Sequence, residues 1–167
     1  VIEAELKGGA SMIYHVLDEQ DVQRIMKHPH VLIGSDGRLA RFGDASSPHP
    51  RAYGTFPRVL GRYSRDMKLF PLETAIHKMS GQSAARLGVR DRGTLRAGNF
   101  ADVVVFDAAT IAGKSTFEQP HQYPVGIEHV FVNGVAALDS GKFTDSRPGR
   151  IIRRGRPFRA AHAFPGP

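Results

Sequence analysis

The first half of the chain alternates helix-like and strand-like hydrophobic patterns. Asp18 precedes an apolar stripe that ends near Lys27, and it is placed to cap a helix over residues 18–27. Pro29 ends this helix, and residues 31–34 follow as a continuous apolar run of the kind found in strands covered on both faces. A helix followed closely by a buried strand indicates one half of a parallel α/β repeat.

A long polar loop and three helices are predicted after this strand. Residues 38–54 are rich in Gly, Pro and Ser, and loops at this end of a parallel strand often carry function. Thr55 is a candidate cap for the second helix, and Pro71 precedes the third. Gly88 closes a fourth helix over residues 80–87. The apolar positions of the second helix recur at helical spacing: Phe56, Val59, Leu60 and Tyr63.

The second half of the chain changes to a strand pattern. Residues 101–106 are mostly β-branched, and residues 127–132 and 135–138 flank Asn133-Gly134. Asn-Gly between two apolar runs is the strongest short-range hairpin signal, because both residues accept a positive φ. The fold class predicted is therefore α/β followed by β.

Charge and length leave two broader interpretations open. The 167 residues, 41% of them hydrophobic, suffice for one globular domain, yet the first residue is Val1 and suggests a piece of a longer protein. The net charge of +7 would permit nucleic-acid binding, which should then depend strongly on salt. Phe158 is the one aromatic residue among the arginines of the basic tail, which falls short of the repeated aromatic interleaving that a base-stacking surface needs and favours a solvated end. The arginines of that tail are Arg147, Arg150, Arg153, Arg154, Arg156 and Arg159.

Cysteine usage and hydropathy narrow the chemistry. The chain has no cysteine, so a metal bound by these residues would need His and carboxylate ligands. No apolar run reaches the roughly 20 residues of a membrane span, and no signal sequence begins the chain. We therefore expect a soluble, cytoplasmic protein.

Asp36 and Arg51 are the leading candidates for chemistry. Asp36 follows the predicted strand directly, where a carboxylate can transfer a proton or contact a metal, although Ser-Asp-Gly is also ordinary turn sequence. Arg51 lies on the same loop and could hold a carboxylate through two parallel hydrogen bonds, or it could be a plain surface arginine. The local pattern leaves both alternatives open.

Two other motifs are weaker than they look. His28 and His30 form a His-x-His pair, but they precede the strand, at the end opposite Asp36, whereas metal sites in parallel barrels gather at the carboxyl ends. Gly93 and Gly98 have phosphate-loop spacing, but Lys-Ser/Thr is missing after the second glycine. We therefore interpret His28 and His30 as a pair that does not bind metal, and the two glycines as parts of turns.

Several longer segments resemble the D-aminoacylases, the N-acyl-D-amino-acid deacylases of the amidohydrolase superfamily. The narrowest resemblance is HPHVLIGSDG (28–37) followed by SPHPRAYGTFPRVLGRYSRD (47–66) and LFPLETAIHKMSGQSAARLGV (69–89). DRGTLRAGNFADVVVFDAATI (91–111) is similar to many amidohydrolases, and TFEQPHQYPVGIEHVFVNG (116–134) resembles the β-domain of the same proteins.

The resemblance implies the C-terminal part of a (β/α)₈ TIM-type metallo-hydrolase barrel, with its last strand and following helices, plus part of a small β-sandwich domain. Residues 1–90 would belong to the barrel, residues 91–154 to the β-domain, and residues 155–167 to a basic flexible tail. The reaction implied is hydrolysis of the amide of an N-acyl-D-amino acid by zinc-activated water.

The resemblance also implies roles for individual residues. Asp36 would be the catalytic acid/base and a possible metal contact, while Arg51 would bind the α-carboxylate of the substrate. Ser35 and Gly37 would contact the substrate beside Asp36. The other Zn²⁺ ligands of the family lie upstream of Val1, so this chain alone would hold no zinc, would be inactive, and would need a missing N-terminal portion or another chain to complete the barrel.

Two alternatives to this function remain. One is another amidohydrolase that acts on cyclic amides, which the segments HPR (49–51) and GTFPRVLG (54–61) disfavour. The other is a non-catalytic remnant or subunit, which the absent metal ligands keep open. The sequence leaves the side-chain preference of the enzyme undecided, although Arg38 and Arg41 near Asp36 would suit an acidic D-amino acid.

Overall fold

The protein is described here by a computed structural model that covers residues 3 and 6, 16–39, 41–44 and 46–152. The basic tail predicted over residues 155–167 lies outside the described residues, as do Arg153 and Arg154 before it. The helices are α1 (Glu19–Lys27), α2 (Arg51–Arg58) with a π-helical extension (Val59–Asp66), α3 (Leu72–Met79) and α4 (Gly81–Leu87). The strands are β1 (Val103–Phe106), β2 (Ile127–Val132), β3 (Val135–Asp139) and β4 (Lys142–Phe143).

Helix α1 begins where the sequence predicts it. The side chain of Asp18 accepts a hydrogen bond from the Gln20 N–H at 2.7 Å, which satisfies one of the free amides of the first turn. The helix ends at Lys27, and Met26 is its buried residue. The cap prediction is confirmed.

The strand predicted over residues 31–34 is not formed among the described residues. This segment is extended but pairs with no strand, and its one backbone bond to a distant residue runs from the Ile33 N–H to the Lys78 carbonyl, at 3.3 Å. Val31, Leu32 and Ile33 are half-buried and Gly34 is exposed. A parallel strand needs neighbouring strands for its amides and carbonyls, and the described residues supply none beside it.

The loop after Asp36 is shorter than predicted. Helix α2 begins at Arg51, so the predicted end of the loop at Gly54 and the predicted cap at Thr55 are both wrong. Thr55 lies inside the helix, and its hydroxyl donates a hydrogen bond to the Arg51 carbonyl at 3.0 Å. The helix starts early because the His49 ring accepts the Arg51 N–H at 3.0 Å. His49 thus supplies the side-chain acceptor for the first turn that Thr55 was predicted to supply.

The core lies between the helices and a segment that follows the first strand. Its buried members are Met26, Val59, Leu60, Tyr63, Phe70, Ala75 and Ile111. Phe56, which the helical stripe predicted to be buried, is 42% exposed, whereas Val59, Leu60 and Tyr63 of the same stripe are buried. Ile111 comes from the second half of the chain, so that half packs directly into the helical core.

A close backbone crossing joins the two halves. A Cβ placed on Gly61 would lie 2.3 Å from the Ile111 carbonyl oxygen, and one on Gly113 would lie 2.8 Å from the Gly54 carbonyl oxygen. Real Cβ atoms do not approach a carbonyl oxygen this closely, so glycine is required where the 111–113 segment crosses α2 and its extension.

The second half forms an antiparallel sheet with the order β1-β2-β3-β4. Val132 pairs with Val135 across the turn, and Asn133 and Gly134 have φ values of 51° and 81°. The predicted Asn-Gly hairpin is confirmed. Across the part of the chain that the structure describes, no helix has the length and apolar character needed to cross a membrane.

Candidate active site

The turn that carries Asp36 is unusual in its backbone. Asp36 has a φ of 47°, in the left-handed region that residues other than glycine seldom adopt, although aspartate and asparagine enter it more readily than most. The Gly37 N–H donates a hydrogen bond to the Ser35 hydroxyl at 3.2 Å. A Cβ on Gly37 would lie 3.1 Å from the Ala52 Cα, so the turn rests against the first turn of α2. Ser35 and Gly37 thus shape the turn that presents Asp36.

Arg51 is placed by the start of α2. Its N–H bonds to the His49 ring, and the next amide, of Ala52, donates to the His49 carbonyl at 2.9 Å. The ring of His49 in turn packs edge-on against Phe117, with the ring centroids 5.0 Å apart. His49 was not a sequence candidate, because a lone histidine in a Pro-rich loop has no distinctive spacing.

The two sequence candidates meet in an ion pair. Arg51 Nη2 lies 2.9 Å from Asp36 Oδ2, and the two side chains are 43% and 86% exposed. An exposed ion pair contributes only about 0–1 kcal/mol, because water screens both charges. A substrate carboxylate can therefore compete with Asp36 for the guanidinium at little cost. The sequence placed both residues on one loop but did not predict this contact.

A second group of side chains holds the loop between Asp36 and Arg51. We call it the His121 clasp, made of Phe42, Tyr53, His121 and Tyr123. His121 Nδ1 lies 3.1 Å from the Tyr53 hydroxyl and accepts the Gly43 N–H at 3.3 Å. His121 Nε2 lies 2.8 Å from the Ser46 carbonyl oxygen. No sequence spacing indicates this cluster, because its members are far apart in the chain.

Aromatic packing completes the clasp. The rings of Phe42 and Tyr123 stack with centroids 4.2 Å apart and an angle of 12° between their planes. Tyr53 meets Phe42 and His121 at 6.0 Å and 5.8 Å in edge-to-face geometry, which aromatic rings prefer. The loop is therefore attached to residues 121–123 of the second half through both rings and hydrogen bonds.

Two titratable groups around the clasp are perturbed. Hydrogen bonds from the Ser46 hydroxyl and amide lower the pKa of Asp44, whose Oδ1 also lies 3.6 Å from His121 Nε2. Burial raises the pKa of Tyr53 above its usual value of 10.0. At neutral pH the Tyr53 hydroxyl therefore keeps its proton, while Asp44 is ionised.

Lys78 ties the extended segment before Asp36 to helix α3. The residue is 2% exposed, and its ammonium donates to the carbonyls of His28 and Val31 at 2.6 and 2.9 Å. Its own carbonyl accepts the Ile33 N–H. Burial lowers the pKa of Lys78 below 10.5. No sequence pattern singled out this lysine, because a single charged position in an apolar stripe is usually exposed.

The described residues do not by themselves form a metal centre. No three His, Cys, Asp or Glu side chains within them converge as a ligand set, and near the ion pair Asp36 would offer one carboxylate. His28 and His30 face each other with ring centroids 5.6 Å apart, at the start of the extended segment. Resident zinc therefore does not fit the side chains described for this chain alone.

The family of the chain follows from comparison with known proteins. Residues 5–137 match the amidohydrolase family, so the chain belongs to that family. D-aminoacylase of Alcaligenes xylosoxydans xylosoxydans is 51% identical over 145 residues, which cover 87% of this chain and 29% of that relative. N-acyl-D-glutamate deacylase of the same organism is 44% identical over 155 residues, covering 93% of this chain and 31% of the relative.

Solved structures show the same likeness. A crystal structure of D-aminoacylase, described as defining a novel subset of amidohydrolases, is 50% identical with a TM-score of 0.78 over 84% of this chain and 29% of that chain. N-acyl-D-glutamate deacylase from Bordetella bronchiseptica, solved with zinc and a phosphonate mimic of the tetrahedral intermediate, is 41% identical with a TM-score of 0.72 over 82% of this chain and 28% of that one.

These comparisons confirm the predicted resemblance to the D-aminoacylases, and the solved relatives are TIM-barrel amidohydrolases. The chain spans less than a third of the length of each of these relatives.

Proposed function

We propose that the whole protein hydrolyses the amide bond of N-acyl-D-amino acids to a carboxylate and a free D-amino acid. The observation that carries this proposal is the Asp36–Arg51 ion pair, found in a chain that is 51% identical to a D-aminoacylase. The pair brings together a carboxylate for proton transfer and a guanidinium for an α-carboxylate, which are the two groups this reaction needs beside its activated water.

The roles of the two residues follow from their chemistry. The Asp36 carboxylate accepts a proton from the attacking water as the new C–O bond forms. The same proton then passes to the amine nitrogen as the C–N bond breaks, so the carboxylate is regenerated. Arg51 binds the α-carboxylate of the substrate and thereby fixes the stereocentre relative to the water. Ser35 and Gly37 hold the Asp36 turn against α2.

The proposal of a zinc ion rests on the relatives of this chain. The Bordetella bronchiseptica deacylase was solved with zinc, and a bound zinc ion lowers the pKa of water and polarises a carbonyl. The described residues supply no complete ligand set. We therefore propose that the remaining ligands come from a portion of the protein outside this chain, and that this chain alone is inactive.

In the proposed architecture, this chain and the portion of the protein outside it form the barrel together. Residues 1–90 would complete the carboxyl end of a (β/α)₈ barrel, with residues 31–34 as the last strand once neighbouring strands are present. Residues 91–154 would form part of a small β-sandwich. Residues 31–33 are apolar but only half-buried among the described residues. A strand covered on both faces would be fully buried, so the apolar surface that they still expose supports an arrangement in which further strands and helices cover them.

The test is a comparison of substrates with the full-length protein and zinc. We expect free D-amino acid to be released from N-acetyl-D-amino acids and none from the L-enantiomers, with chelation removing activity and zinc restoring it. Acetyl-D-leucine, acetyl-D-glutamate and acetyl-D-aspartate would establish the side-chain preference. Hydrolysis of hydantoins or dihydroorotate with no release from acyl-D-amino acids would instead favour a cyclic amidohydrolase, and no hydrolysis of either class would favour a non-catalytic protein.

A further inference from the structure

We propose that His121 is a positioning residue that sets the preference of the site for substrates with a free α-carboxylate. It acts through the His121 clasp, which fixes the loop that ends at Arg51. The inference rests on the proposed deacylase function, since it assigns Arg51 to the substrate carboxylate. It concerns a residue from the second half of the chain, distant in sequence from both Asp36 and Arg51.

The hydrogen bonds of His121 define its tautomer. The Gly43 N–H can only donate, so Nδ1 must offer its lone pair. The Ser46 carbonyl can only accept, so Nε2 must carry the proton. The ring is therefore the neutral Nε2–H imidazole, and it connects two points of the loop.

Tyr53 transmits this connection to Arg51. Both residues lie in the first turn of α2, where Arg51 contacts Asp36 and Tyr53 contacts His121. The Tyr53 hydroxyl, 3.1 Å away, donates to His121 Nδ1 and shares its lone pair with the Gly43 N–H. The first turn of α2 is thus held from two sides, and loosening the clasp frees the helix start that carries the guanidinium.

The surroundings of His121 suit a fixed position. Its side chain is 19% exposed and is flanked by the ring of Phe42 at 6.0 Å. The facing titratable groups are the Asp44 carboxylate at 3.6 Å and the Tyr53 hydroxyl. Asp44 is itself held by the hydroxyl and amide of Ser46. Rigid neighbours of this kind keep a guanidinium in one geometry and so reduce the entropy lost when a carboxylate binds.

Two variants divide the contacts of His121. In His121→Asn the side-chain oxygen replaces Nδ1 as acceptor for Gly43 and Tyr53, whereas in His121→Gln the amide nitrogen replaces Nε2 as donor to Ser46. His77→Asn, at an exposed position of α3, is the matched control. Tyr53→Phe removes only the hydroxyl that joins the clasp to α2.

The experiment compares the full-length protein and these variants on an N-acetyl-D-amino acid and on its α-carboxamide. Tyr53→Phe and His121→Gln should raise KM for the acid about tenfold, equivalent to roughly 1.4 kcal/mol, while kcat stays within about twofold. His121→Asn should raise KM for the acid less than His121→Gln does, since it keeps the Tyr53 contact. The kcat/KM for the carboxamide should stay unchanged, as should both constants in His77→Asn.

A double-variant cycle gives an independent readout. If His121 acts through Arg51, then His121→Gln should add nothing in an Arg51→Lys background. Equal losses on the acid and the carboxamide, or additive losses in the double variant, would overturn the inference while leaving the deacylase function intact. A wild-type protein that releases no D-amino acid at all would overturn the proposed function and this inference together.

Discussion

Asp36 and Arg51 stand at the two ends of one polar loop, and their charged groups meet at 2.9 Å. The backbone of Asp36 is in the left-handed region and the Arg51 amide is bonded to His49, so both ends of the loop are geometrically defined. The pair is exposed, so it can open when a substrate carboxylate arrives.

Substitution of Asp36 and substitution of Arg51 should affect different kinetic constants. Asp36→Asn cannot accept a proton, and we expect kcat of the full-length protein to fall about 10²–10⁴-fold with KM little changed. Arg51→Lys keeps the charge but loses bidentate bonding, and we expect KM to rise about tenfold with a smaller effect on kcat. Asp66→Asn, at the exposed end of the Arg65–Asp66 pair, is the control for removing an aspartate charge. Identical effects of both site variants on KM alone would contradict the separate roles.

The crossing of the 111–113 segment over the helix predicts a sharp difference between two glycines. Gly61→Ala would place a Cβ 2.3 Å from the Ile111 carbonyl oxygen, so the backbone must move, and we expect the free energy of unfolding to fall by roughly 2 kcal/mol. Gly54→Ala, in the same continuous helix, meets only ordinary contacts at 3.8 Å and should be neutral or gain up to about 1 kcal/mol. Urea denaturation of both variants measures the difference, and equal stabilities would show that the crossing is not tight.

Local chemistry accounts for what the sequence predicted correctly. Asp18 caps α1 and Asn133-Gly134 closes a hairpin, because a cap or a two-residue turn is decided by the residues within it. The start of α2 was missed because the His49 side chain supplied the bond expected from Thr55. Nothing in the local spacing distinguishes that histidine from its neighbours.

Longer-range relations explain the remaining differences. Residues 31–34 have the composition of a buried strand, but strand pairing needs partners that the described residues lack. Asp36 and Arg51 were identified as candidates, whereas their contact and the His121 clasp were not. The members of the clasp are far apart in the chain, and the periodicity of a sequence predicts contacts within an element but not contacts between such distant residues.

Arg92 connects three parts of the β-region, which makes it a test of that region. Its guanidinium bonds to Asp102 and to the Asn133 side chain, and its Cζ atom lies 4.2 Å from the centre of the Phe100 ring. Lysine cannot make both bonds and the stacking contact, so Arg92→Lys should lower the free energy of unfolding by about 2 kcal/mol. Arg96→Lys, at an exposed position of the same segment, should change it by less than about 0.5 kcal/mol. A matching loss in the two variants, measured by thermal or urea denaturation, would rule out the special role of Arg92.

Lys78 predicts a pH dependence of stability with a defined sign. Lys78→Met leaves the carbonyls of His28 and Val31 without their donor, and we expect a loss of about 1–3 kcal/mol at neutral pH. Because burial lowers the pKa of Lys78 in the folded state, the unfolded chain holds more protons between that lowered value and the usual 10.5. The stability contributed by Lys78 therefore rises with pH across this interval, and the gap between wild type and Lys78→Met should widen.

Urea denaturation at several alkaline pH values measures this gap, and groups common to both proteins cancel in the difference. Lys27→Met, at the exposed end of α1, controls for the loss of one lysine. A gap that narrows as the pH approaches 10.5 would mean that the ammonium of Lys78 is favoured by its carbonyl partners more than burial disfavours it. In that case its two bonds, to His28 and Val31, would outweigh the cost of removing the charge from water.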